Sequence, residues 1–169
     1  MATTTTVDET TDLLATLAKH QFLFRFTVRN LTDDQARLTP TVSALSLGGL
    51  VKHVTASQRD WTRFIVEGAS AMSFTPESFV EHAATFRMEA DDTLDELLAD
   101  YSAAAARTEE VVRALPTLDV AQQLPEAPWF TDTHWSARRV LTHLIAETAQ
   151  HAGHADIIRE TIDGQKTMG

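Results

Sequence analysis

The chain has 169 residues, 43% of them hydrophobic and 7% aromatic, which is ordinary for one soluble domain with a proper core. Fourteen Lys and Arg against 24 Asp and Glu leave a formal charge of −10, which argues against nucleic acid and anionic membrane as partners, since both reward a basic patch. Cysteine is absent, so disulfides, thiolate ligands and a cysteine nucleophile are excluded, and any metal must sit on nitrogen and oxygen.

The opening MATTTTVDETTD has neither a basic segment nor an apolar core, so it does not read as a signal peptide, and no apolar run reaches membrane-spanning length. The expectation is a disordered tail over residues 1–7 and a single domain over 8–169 in a cytoplasmic protein. A first helix starts after Asp8 and runs to about Asn30, with Leu13, Leu17, Phe24, Val28 and Leu31 on its inner face and His20 and Gln21 midway along it. A short helical turn follows Thr32, where Asp33 and Asp34 suit the positive end of a helix dipole.

Ser46 reads as the N-cap of a second long helix, Leu47 to Gly68, whose inner stripe is Leu50, Val54, Trp61, Phe64 and Ile65. His53 borders that stripe. Gly48 and Gly49 weaken the first turn and suggest a close approach by backbone or ligand. Residues 69–92 form a connection with a short helix after Pro76, longer than antiparallel neighbours need. The chain is therefore expected to cross the bundle, so that the second and third long helices run in the same direction.

Thr93 and Glu96 fit a capping box at the start of the third long helix, which keeps an inner face of Leu94, Leu97, Tyr101, Ala104, Thr108, Val111 and Leu115 until Pro116. A proline-rich loop, 116–135, carries Trp129, Phe130, His134 and Trp135. The fourth helix runs from an N-cap at Ser136 to Gly164, with Val140, Leu141, Leu144, Ile145, Ile158 and Ile162 at helical spacing. No strand-like alternation of useful length occurs. The reading is all-α: a four-helix bundle with a long crossover between helices 2 and 3.

In the fourth helix, His143, Glu147, His151 and His154 follow at steps of four, four and three, within a sector of roughly 80° at about 100° per residue. Burying such groups unpaired costs free energy, the carboxylate most. A divalent metal, a hydrogen-bond network or solvent at an exposed face could each compensate them. Glu147 and His151, one turn apart, can share one ion, and His53 is the best third ligand from a neighbouring helix. His20 and His143 are weaker candidates, suited to a supporting role. Two histidines and a carboxylate make an open site for zinc, nickel or iron(II). Against this, Glu-x-x-x-His pairs are common on helix surfaces as solvated hydrogen bonds. His82 and His134 read as surface residues, and Trp61, Phe64 and Tyr101 as core. Trp129 and Trp135 fit either a pocket mouth or a plug at the bundle end. No Glu-x-x-His, His-Glu-x-x-His, phosphate loop or Gly-x-Ser-x-Gly is present.

GGLVKHV in the second helix and ETAQHAGHADIIRETIDG in the fourth resemble the DinB-like superfamily of four-helix metalloproteins, over essentially the whole chain. The resemblance implies a divalent metal on His53, Glu147 and His151. A glutamate at position 147, where many members have histidine, resembles the mycothiol-dependent branch, which includes maleylpyruvate isomerase and a mycothiol S-transferase. That isomerase carries a further C-terminal domain contributing to its site, whereas this sequence ends after the bundle, so the transferase is the expectation. The mechanism implied is attack by a metal-activated low-molecular-weight thiol on a small electrophile, which enters past Trp129 and Trp135. His154 is either an outer partner of the triad or the surface end of the stripe. The competing readings are a non-catalytic metal-binding bundle and a dimeric interaction protein, and a homodimer is compatible with all three.

Overall fold

In the computed structural model, which describes residues 7–167, the cap signals in the sequence set the ends of the long helices. Asp8 caps α1 (Glu9–Thr27), accepting from the Thr11 amide. Thr32 and Gln35 form a reciprocal capping box on the short α2 (Asp33–Arg37). Ser46 caps α3 (Leu47–Glu67) through the Gly49 amide. A 3-10 turn (Gly68–Ala71) then leads to α4 (Pro76–Thr85), the helix of the crossover. Thr93 opens α5 (Leu94–Ala114), and Ser136 opens α6 (Ala137–Asp163), which ends on the left-handed Gly164. The expected tail over 1–7 falls mostly outside the described residues.

Three details depart from the expectations. α1 ends at Thr27, because Arg159 from α6 takes up the carbonyls of Thr27 and Arg29 and Asn30 turns left-handed at φ 58°. At Thr93 the Glu96 carboxylate accepts from the threonine hydroxyl at 2.7 Å, so the box expected there closes through the side chain. The 116–135 loop holds two short strands, β1 (Ala121–Gln123) and β2 (His134–Ser136), antiparallel with Gln122 opposite Trp135. Three residues are too few for an alternation to be legible.

The four long helices form a ring in the order α1, α6, α3, α5. Lys52 meets Asp92 just ahead of α5 and Thr62 meets Thr108 further along, so α3 and α5 run in the same direction. The long crossover produces this, as its length implied. Glu9 pairs with Arg138 and Thr27 with Arg159, so α1 and α6 are also parallel. α3 and α6 are antiparallel, since His53 faces Glu147 while Trp61 faces His143.

The core divides into two apolar clusters. One holds Leu14, Leu17, Phe64, Val140, Leu141 and Leu144, and the other Phe24, Val28, Leu50, Val54, Tyr101 and Ile158. Each large apolar side chain among them contributes on the order of 2 kcal/mol when fully buried. Near mid-height a polar chain crosses the interior: Gln21 donates to Gln58, Gln58 donates to Thr108 at 2.8 Å, and Thr62 pairs with the same hydroxyl. Thr108 in turn donates to the Ala104 carbonyl at 2.9 Å, so the chain ends on main chain and its buried hydroxyls are satisfied.

The crossover is seated on the first turn of α3. A Cβ at Gly49 would stand 2.6 Å from the Phe86 carbonyl carbon and closer still to its oxygen, and one at Gly48 would collide with Met88. The close approach is therefore one of backbone at Gly49 and of the Met88 side chain at Gly48. Arg37 braces the far end of the crossover, donating to the carbonyls of Glu89, Ala90 and Asp92.

Candidate metal centre

α3 and α6, packed antiparallel, bring His53 together with Glu147, 94 residues on in sequence, and with His151 one turn further along α6. His53 and His151 are buried, and Glu147 is half-buried between them. His53 Nε2 lies 3.1 Å from Glu147 Oε1, and His151 Nε2 lies 3.2 Å from the same oxygen. One donor atom from each of the three falls within 4.8 Å of the other two. The hydrogen bonds from His151 and then His53 hold the Glu147 carboxyl well below its ordinary range, against the opposing effect of burial. Here an i, i+4 pair on one helix meets a single side chain from another.

The donor set suits a divalent cation. Two imidazole nitrogens and one carboxylate oxygen, with no thiolate, match zinc, nickel or iron(II). Both Nε2 atoms face inward, because each Nδ1 has a protein group behind it: Thr85 Oγ1 at 3.1 Å for His53 and His154 Nδ1 at 3.4 Å for His151. The three residues could hold an ion with a coordination position left for another molecule.

The remaining candidates separate clearly. His154 stands behind His151, with ring centroids 5.4 Å apart, and is outside the three-donor cluster. His143 packs against Trp61 at 4.9 Å and Trp135 at 5.4 Å. Burial pushes the His143 pKa down, with the Glu147 charge opposing and Arg139 adding to the fall. His20 is half-buried on α1, and no hydrogen bond or ring contact joins it to the cluster among the described residues. Trp135 stacks on Trp61 at 4.6 Å and packs against the first apolar cluster. Trp129 is 51% exposed and meets Phe74 edge-on at 5.0 Å. One tryptophan thus packs inward and the other stands at the surface.

Sequence reasoning missed the contribution of the crossover. Phe86 stacks on the His53 ring at 3.8 Å, and His82 meets it edge-on at 5.3 Å. His82 is exposed, as expected, yet its ring lies against the centre. Burial pushes its pKa down, and His53 adds to the fall. Gly49 was the available signal, because the backbone it admits is that of Phe86.

A crystal structure of a conserved protein from Enterococcus faecalis is similar to this chain, with a TM-score of 0.65 over 95% of this chain and 100% of that one at 18% identity. At that identity the likeness shows the fold alone. No curated protein matches the sequence. The family described as Mycothiol-S-transferase matches residues 12–164, a span that contains His53, Glu147 and His151. By this match over most of its length, the chain belongs to the mycothiol-S-transferase family.

Proposed function

We propose that this chain is a divalent-metal-dependent S-transferase that joins a low-molecular-weight thiol of the mycothiol type to a small electrophile. The observation that carries the reading is the convergence of His53, Glu147 and His151 on one point with no fourth protein donor in the cluster among the described residues. A filled four-donor sphere would favour a structural ion, whereas three donors leave a place for substrate. His154, the obvious fourth, faces His151 Nδ1 and lies on the far side of that ring from Glu147. This supports catalysis over metal storage.

In this reading His53 and His151 are neutral nitrogen donors, and Glu147 supplies one negative charge against the cation. A bound divalent cation supplies Lewis acidity that lowers the pKa of a thiol, so that sulfur is available as thiolate at neutral pH. The thiol would give its proton to solvent, its sulfur would bond to the electrophilic carbon, and any leaving group would depart with the electron pair of its own bond. Trp61, Phe130 and Trp135, packed together beside His143, form an apolar wall that limits water on that side. Zinc is the first candidate ion, then nickel or iron(II).

The test is conjugation of mycothiol to electrophilic probes by the purified protein before and after chelation. Turnover should vanish on metal removal and return with zinc. Turnover unchanged by chelation would sink the reading.

A further inference from the structure

We propose that Thr85, the last residue of the crossover helix α4, is a positioning residue for the metal centre. Its hydroxyl fixes the tautomer of His53, and so decides which lone pair the imidazole presents to Glu147 and His151. The inference rests on the metal reading above.

The Thr85 hydroxyl has one proton. Its oxygen lies 2.6 Å from the His82 carbonyl oxygen, which carries no hydrogen, so the proton is donated there. Towards His53 Nδ1, 3.1 Å away, the same oxygen can then only accept. Nδ1 must therefore carry a hydrogen. In a neutral imidazole the other nitrogen is then bare. That bare Nε2 points at Glu147 Oε1, 3.1 Å away, which is also an acceptor. Two lone pairs facing each other at this distance in a sheltered site need a positive centre between them. In the metal-free protein a second hydrogen, on Nε2, supplies it and is donated to Glu147; a metal ion takes the place of that hydrogen, with His53 binding through Nε2 and its Nδ1–H still held from behind, as ligating histidines usually are.

The surroundings hold the ring in this pose. Phe86, next in sequence to Thr85, lies nearly parallel to the imidazole, at 20° between planes. Gly49 leaves room for the Phe86 backbone. So the crossover, which looks like a mere connection, delivers the outer partner of a ligand 32 residues earlier in the chain.

The experiment compares wild type, Thr85→Val and Thr85→Ser for zinc affinity by competition with a chromophoric chelator. Thermal unfolding of the metal-free proteins is measured alongside. Thr85→Val should weaken zinc binding by about tenfold or more, and Thr85→Ser should restore it. The metal-free unfolding midpoints should stay close together, which a purely structural role would not allow. Equal zinc affinity in Thr85→Val overturns the proposal, and so does an equal loss in Thr85→Ser, which would assign the effect to the methyl group. Imidazole nitrogen NMR of the zinc-loaded wild type reads the tautomer directly, even if Thr85→Val does not fold. A bare Nδ1 on His53 would overturn the proposal alone. Absence of zinc binding by wild type would overturn the metal reading with it, and the two failures are told apart in that control.

Discussion

Gly49 lies directly beneath the backbone carbonyl of Phe86, and no side chain fits between them. The contact is made by main chain on both sides, so neither partner can yield by rotating a side chain. Gly49→Ala must push the crossover away from α3, at a cost of about 1–3 kcal/mol by analogy with overpacked cores. Because Phe86 and Thr85 travel with that backbone, metal affinity should fall as well. Chemical denaturation and zinc titration of the variant would test both halves. Wild-type stability would show that the segment re-seats at no cost.

His151 and His154 should behave differently on truncation, although they are one helical turn apart. His151→Ala removes a donor from the cluster and should abolish stoichiometric metal binding. His154→Ala removes only the group behind that donor, so the metal should remain with affinity lowered by about tenfold. Metal content per chain by mass spectrometry, on protein purified without an affinity tag, separates the two. Equal loss in both variants would make His154 a fourth ligand and favour a structural ion.

Acid should act on the metal-free protein through Glu147. Its carboxyl is held below the ordinary value of 4.5, first by the hydrogen bond from His151 and then by that from His53. A depressed acid contributes stability that is complete above its ordinary pKa and is lost as pH falls through the folded value. Unfolding free energy should therefore decline below about pH 4.5 in wild type, and decline less in Glu147→Gln. Parallel acid limbs in urea titrations at stepped pH would refute this.

Thr108 tests the polar chain through the core independently of the metal. Its hydroxyl accepts from Gln58 and pairs with Thr62, all of them buried. Thr108→Val keeps the shape but strands the Gln58 amide, which should cost about 1–3 kcal/mol. Zinc affinity should hold, since Thr108 touches no member of the centre. A large change in affinity would mean that the two polar groups are coupled.

The helices were legible because their end signals are local. Asp8, Ser46, Thr93 and Ser136 each satisfy an amide three residues on, so the sequence and the structure agree there without reference to the rest of the fold. Glu147 and His151 were legible for the same reason, since helical geometry alone places them together. His53 needed a guess about which helix faces which. Thr85 was beyond reach, because a threonine at a helix end has many uses and its partner depends on how the crossover seats. The short hairpin was hidden likewise, its pairing fixed by where the 116–135 loop lies against α6.

The division of the core into two apolar clusters gives the bundle two regions able to open separately. His53 and Glu147 lie on different helices, so an ion held between them would staple α3 to α6 without adding a single apolar contact. Loading with zinc should therefore change amide exchange less in degree than in pattern. Slow amides on both sides of the centre, independent in the free protein, would come to exchange together.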